Sequence, residues 1–197
     1  MTKLKRYIPL FIAALTVSLV VSGCGNQDSQ ASKYAQQAAK QDKNPPKITD
    51  PVEPTLKAST ATPGPGEGDI TKKPVIPKQT GAAPKDLIAE DLIAGKGPAA
   101  KTGDQVAVQY VGVLRDTGKE FDSSWKRNQP FNLQLGAGQV IKGWDKGLVG
   151  MKAGGRRRLT IPPELAYGAT GQPPTIPANA ALVFDVDMKT IAAAKKK

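Results

Sequence analysis

Seven of the ten aromatic residues in this 197-residue chain, Tyr110, Phe121, Trp125, Phe131, Trp144, Tyr167 and Phe184, fall within one stretch. Rings gathered there can line an apolar, water-poor surface, although the commoner fate of rings at helix and strand spacing is a closed core. Histidine is absent, which excludes imidazole acid/base catalysis, histidine metal ligation and histidine pH switching. A single cysteine, Cys24, excludes thiolate metal clusters and an internal disulfide framework. Hydrolase triads and zinc enzymes therefore fall away, and neither a metal nor a cofactor is expected.

The elements that must position these rings are read from hydrophobic period. Over residues 104–114, Val106, Val108, Tyr110, Gly112 and Leu114 alternate onto one face; Phe131, Leu133 and Leu135 do the same more briefly. Near the end of the chain Leu182, Phe184, Val186 and Met188 alternate against Val183, Asp185, Asp187 and Lys189, which predicts a strand with one buried face. Asp116-Thr117-Gly118-Lys119 has turn chemistry. Ile141, Trp144, Asp145 and Leu148 follow the other period and predict a helix of two to three turns. Arg156-Arg157-Arg158 reads as a strand whose outer two arginines point one way and whose middle one points the other, on a solvated face. An α+β domain follows, with a curved antiparallel sheet packed on one short helix and Trp144 between them.

Tyr110, the run Phe121-Asp122-Ser123-Ser124, Arg127 with Pro130-Phe131, Val140-Ile141-Lys142-Gly143-Trp144, Ala166-Tyr167-Gly168 and Leu182-Val183-Phe184-Asp185-Val186 stand in one order across residues 85–191. Together they resemble the FKBP-type peptidyl-prolyl cis/trans isomerases. The resemblance implies a five-stranded antiparallel half-barrel wrapped around one short α-helix, with a shallow apolar pocket for a substrate proline. It implies Trp144 as the pocket floor and Tyr110, Phe121, Phe131, Val140, Ile176 and Phe184 as walls. The Ile141 backbone N–H and the Tyr167 hydroxyl would donate to carbonyls flanking the proline; Asp122 would lie beside the pocket with Arg127 as its ion partner. Polypeptides containing X-Pro bonds are then the expected substrates and macrolides the expected inhibitors. Gln172, Thr175 and Trp125 depart from the family pattern at positions bearing on substrate preference and macrolide affinity. A binding module without turnover, and a purely structural spacer, are the rival readings.

The N-terminus points to export. Lys3, Lys5 and Arg6 precede an uncharged, mostly apolar run over residues 7–21, which is short for a spanning helix and suits a signal segment. Val21-Ser22-Gly23-Cys24 resembles the lipobox of bacterial lipoproteins, which makes residues 1–23 a signal peptide and Cys24 a lipidated anchor. The expected location is the outer face or periplasmic side of a bacterial membrane. Residues 25–84 hold nine of the seventeen prolines and one aromatic residue, so residues 24–84 are expected to form an extended tether. Within it, residues 32–43 have the composition of a transient helix. Without residues 1–23 the chain keeps 25 Lys and Arg against 17 Asp and Glu, with no basic stripe interleaved with aromatics. Nucleic acid is accordingly not an expected partner. Residues 192–197 read as a basic tail, and nothing suggests more than a monomer.

Overall fold

The computed structural model describes residues 55–57 and 68–194. The expected signal segment, Cys24, the 32–43 segment and the last three lysines lie outside the described residues. In chain order the elements are β1 (Thr55–Lys57), β2 (Ile88–Ile93), β3 (Lys96–Ala99), β4 (Gln105–Leu114), β5 (Glu120–Ser123), β6 (Phe131–Gln134), α1 (Lys142–Gly147), β7 (Lys152–Ala153), β8 (Arg156–Ile161) and β9 (Leu182–Ala192). Single 3-10 turns occupy Trp125–Arg127 and Pro163–Leu165.

Strand β4 is the spine of the main sheet. It pairs antiparallel with β9 along its whole length, from Gln105 opposite Ala192 to Leu114 opposite Leu182. Its other edge meets β5 near residues 111–113 and β6 near residues 105–108, so β5 and β6 act as one interrupted strand. Beyond β9 come β8 and β2, which makes the antiparallel part five strands wide, as expected. The short β1 adds a parallel strand on the far edge of β2, and β3 pairs with β7 in a separate ribbon.

The apolar alternation of β4 sends Val106, Val108, Tyr110 and Leu114 into the main core with Trp144, Leu148, Leu159, Ile161 and Phe184. Helix α1 lies close to β8. A β-carbon at Gly143 would sit 2.5 Å from Ile161 Cγ2, and one at Gly147 would sit 2.7 Å from Leu159 Cδ2. Only glycine at both positions lets the helix backbone approach this closely, and that approach sets the depth of Trp144 between the two glycines.

Three expectations are corrected by the opposite face of the sheet. First, this face is not open to solvent: Val111, Val113 and Val183 form a second buried cluster with Ile76, and Trp125 packs against it. Second, the ordered body begins upstream of residue 85, because residues 69–82 run against the sheet and supply Ile76. Third, the arginine run does not lie on a solvated face: Arg156 and Arg157 are buried and Arg158 is largely covered. Arg156 makes a two-pronged pair with Asp187 (Nε to Oδ1 2.5 Å, Nη2 to Oδ2 2.9 Å), and Arg158 does the same with Asp185 at 2.7 Å for both contacts. The register places each pair directly across β8 and β9. Arg157 faces the other way as alternation requires, but reaches Asp91 and the end of α1 instead of water. A charge that loses water needs a partner, and each of these arginines has a planar fork matched to a carboxylate.

Candidate functional site

Trp144, on α1 and 4% exposed, is the centre of the site. Three rings meet it edge-on: Tyr110 from β4 at 5.1 Å between centroids, Phe184 from β9 at 5.3 Å and Phe131 from β6 at 6.2 Å. Phe121 from β5 stands perpendicular to Phe184 at 5.5 Å. Edge-to-face contact brings the positive rim of one ring onto the negative face of the next, which fixes ring orientation as well as burial. Tyr110, Trp144 and Phe184 are buried, while Phe121 and Phe131 are half-buried and pack against them from the surface side. The structure therefore assembles a buried aromatic floor under a half-exposed aromatic edge.

A polar triad closes one side. The Tyr110 hydroxyl donates to Asp122 Oδ2 at 2.6 Å and accepts from Arg127 Nη2 at 2.8 Å, while Arg127 Nη1 donates to Asp122 Oδ1 at 2.8 Å. The expected Asp122 and Arg127 pair is thus present, with Tyr110 as a third member. The Arg127 guanidinium also lies 5.7 Å from the Tyr110 ring centroid. Burial, and next the Asp122 charge, push the Tyr110 hydroxyl well above the usual tyrosine range. The protonated phenol is therefore the form present throughout the physiological range. With no histidine available, activity is expected to stay flat from about pH 6 to about pH 10, where an ordinary tyrosine titrates. An alkaline limb at the ordinary tyrosine value, tested against Tyr110→Phe, is the contrary result.

The remaining expected residues lie around this floor. Val140, Ile141 and Ile176 are buried in the same core cluster, and Tyr167 packs half-buried against it from the loop after Pro163–Leu165. Ile141 sits just before α1 with an extended backbone (φ −59°, ψ 148°), and its carbonyl accepts from Trp144 and Asp145. Its backbone N–H has no acceptor among the described residues. The Tyr167 carbonyl accepts from Gly171 N–H at 3.1 Å, and Gly168 is tied to Pro163 and Asn179, so the loop has a fixed course beside the rings. Cys24 lies outside the described residues.

Sequence reasoning gave no role to three residues that hold the site in place. Asp145 accepts the N–H groups of Gly136 at 2.9 Å and Gly138 at 3.0 Å, pinning the turn that leads into Val140 and Ile141. Burial raises its carboxyl above the ordinary range, and the two N–H donors act against that rise. Its signal was a carboxylate at a helix start after closely spaced glycines. Ser123 and Ser124 fasten the β5 end to the Tyr110 backbone: Tyr110 N–H donates to Ser124 Oγ at 2.8 Å, and Ser123 Oγ donates to the Tyr110 carbonyl at 3.2 Å. Ser124 also bonds to Gln109.

Residues 97–189 match the family described as FKBP-type peptidyl-prolyl cis-trans isomerase. An FK506-binding protein of Streptomyces anulatus is 54% identical over 100 residues, covering 51% of this chain and 81% of the relative. FK506-binding protein 4 of Dictyostelium discoideum is 51% identical over 109 residues, 55% of this chain, but this chain spans only 29% of its length. The crystal structure of FkpA from Escherichia coli is similar at a TM-score of 0.51 and 47% identity, covering 56% of this chain and 50% of that one.

Proposed function

This chain belongs to the FKBP-type peptidyl-prolyl cis-trans isomerase family, and on that premise we propose that it is a lipid-anchored isomerase that accelerates rotation about X-Pro bonds in exported polypeptides. The observation that carries this reading is the Trp144 floor, bounded edge-on by the buried Tyr110 and Phe184 beneath the half-buried Phe121, Phe131 and Tyr167. Rotation makes and breaks no covalent bond, so neither nucleophile nor proton transfer is required. The barrier of about 18–20 kcal/mol is the lost C–N resonance of the planar amide. Twisting also reduces the charge on the amide oxygen. A water-poor aromatic surface therefore penalises the planar ground state more than the twisted transition state.

Orientation comes from donors beside the rings. The Ile141 N–H, without an acceptor of its own, and the Tyr167 hydroxyl are suited to carbonyls flanking the proline and would hold the peptide in a bent pose. The triad of Tyr110, Asp122 and Arg127 keeps the phenol, carboxylate and guanidinium bonded to one another, so the wall carries little unpaired charge toward a proline ring. Macrolides are the inhibitors expected of such a surface, since the relatives carry the name FK506-binding protein. Lipid on Cys24 would place the enzyme at the outer face or periplasmic side of a bacterial membrane, acting as a monomer on chains that emerge there.

The test is the cis-to-trans rate of a short X-Pro peptide with the purified full chain. Acceleration, suppressed by FK506 and lowered several-fold by Tyr167→Phe, is the expected result, since one hydrogen bond of about 1 kcal/mol net has that effect on a rate. A folded chain that binds the peptide without accelerating it would overturn the enzyme reading in favour of a binding module. For the anchor, Cys24→Ser in an exporting bacterium should move the protein from the membrane fraction to the soluble one; unchanged fractionation counts against lipidation.

A further inference from the structure

The family match begins at residue 97 and leaves out residues 69–82, yet this segment is fastened to the back of the strands that carry the site. Ile76, 5% exposed, inserts between Val111, Val113 and Val183, with Trp125 against the same cluster. Arg115, 6% exposed, grips three successive carbonyls of the segment, Thr80 and Gly81 at 3.0 Å and Ala82 at 3.1 Å, and its own carbonyl accepts from Gln79 N–H at 2.9 Å. Further along, Arg156 Nη2 donates to the Lys72 carbonyl at 2.9 Å and Lys189 Nζ to the Ile70 carbonyl at 3.2 Å. At the sheet edge Lys73 pairs with Glu120 at 2.7 Å, and Lys126 pairs with the other oxygen of that carboxylate at 2.8 Å.

Four of these holds on the back, at Val111, Val183, Glu120 and Lys126, have a site residue as chain neighbour. Successive residues of a strand point to opposite faces, so Val111 follows Tyr110 and Val183 precedes Phe184. Glu120 precedes Phe121 and Asp122, and Lys126 precedes Arg127. The aromatic edge formed by Phe121 belongs to the short β5, which pairs with β4 at three positions only and whose register shifts between Gly112 and Val113. Burial alone would raise the Glu120 carboxyl, but hydrogen bonds from Lys126 and then Lys73 hold it below the usual range.

We propose that residues 69–82 are a positioning strap for the site: by gripping β4, β5 and the Trp125–Arg127 turn from behind, they hold Phe121, Asp122 and Arg127 at the spacing that proline-peptide binding requires. Ile76, Lys73 and Arg115 are its positioning residues; none touches the substrate. This rests on the isomerase reading, and peptide affinity is measured beside the rate so that the two ideas fail separately.

The experiment compares full-length Ile76→Ala, Lys73→Met, Lys73→Arg and Val75→Ser, the last on an exposed strap residue. Peptide affinity, kcat and KM, and the backbone amide resonance of Ser123, whose N–H donates to Asp122 Oδ1 at 2.8 Å, are read well below each Tm. Ile76→Ala is expected to weaken peptide affinity and kcat/KM about fivefold, mostly through KM, because small displacements of positioning groups reduce rate steeply. The Ser123 resonance should shift with it. Lys73→Met should have a smaller effect in the same direction, Lys73→Arg should restore the parent values, and Val75→Ser should change nothing. A lowered Tm with unchanged affinity, KM and Ser123 resonance would overturn the proposal and leave the strap a stabilising cover. Should Ile76→Ala fail to fold, the Lys73 pair decides, because Lys73 is exposed and its removal leaves the core intact. A parent chain that binds peptide without turnover defeats the isomerase reading, while the affinities still judge the strap.

Discussion

Arg157→Met is expected to lower the unfolding free energy by about 3–5 kcal/mol, and so to reduce Tm by about 10 °C or more. The methionine keeps most of the apolar stem but not the head group. That head group is 1% exposed and makes four contacts: two with Asp91 (2.7 and 3.0 Å), one with the Gly147 carbonyl at 2.8 Å and one with the Val149 carbonyl at 2.9 Å. Asp91 is 45% exposed and can return to water, so losing that pair contributes little. The buried Gly147 carbonyl cannot, and the half-buried Val149 carbonyl can only in part. They are acceptors at the end of α1, where a helix leaves its last C=O groups without internal partners and where a cation is favoured. Arg157→Lys should recover less than half of the loss, since a single ammonium cannot hold the carboxylate and both carbonyls at once. Denaturant unfolding checks the energies. If Met or Lys is as stable as Arg, the α1 end is not held by this guanidinium.

The same residue shows where sequence reading stopped. Alternation along residues 104–114 and 182–188, and the helical period around Trp144, were legible because they are local patterns of apolar residues. They gave the sheet, the helix and the ring cluster that the structure contains. Arg157 is held by a carboxylate 66 positions away together with two carbonyls at the end of α1, 10 and 8 positions away, and the carboxylate partners of Arg156 and Arg158 are 31 and 27 away. Without those contacts a run of three arginines can only be read as solvated. The strap was hidden for a related reason. Pro74 and Pro77 give it the texture of a linker, and Ile76 is one buried apolar residue in a segment with no period. Its order comes from Arg115, a side chain 33 to 35 residues downstream that satisfies three carbonyls of a segment unable to satisfy its own.

The candidate site was legible in composition but not in its fastening. Asp122 and Arg127 were paired from the resemblance, and the structure adds the Tyr110 hydroxyl between them. The serines after Asp122 carried no signal, because a hydroxyl bonded to a strand backbone looks in sequence like any polar turn residue. Trp125, unexpected just after that run, belongs to the back face and not to the site. One face of the sheet carries the rings, and the other is covered by a segment that the alternation of β4 alone cannot announce.

Gly112→Ala is expected to lower kcat/KM by about 10- to 100-fold, with a stability loss of about 1–3 kcal/mol. Gly112 was counted as one position in the apolar alternation of β4. It is also the point at which two rings meet the backbone: an added β-carbon would lie 2.7 Å from Phe184 Cε1 and 2.8 Å from Phe121 Cζ. Real contacts are longer, so one ring must move. Phe184 is 4% exposed and meets Trp144 edge-on at 5.3 Å, so its retreat would displace the floor. Phe121 is only half-buried and has room to swing outward. The cheaper relaxation therefore opens the site on the side of Asp122, which follows Phe121 on β5 and carries the bonds to Tyr110 and Arg127. Substrate affinity should fall further than stability, which separates this variant from a general core defect. A double-mutant cycle with Phe121→Leu supplies the check, because the smaller side chain removes one of the two clashes. The pair should be clearly less damaging than the sum of the single changes, as neighbours sharing one space are. Strict additivity would mean that the rings are not held apart by the missing β-carbon at Gly112.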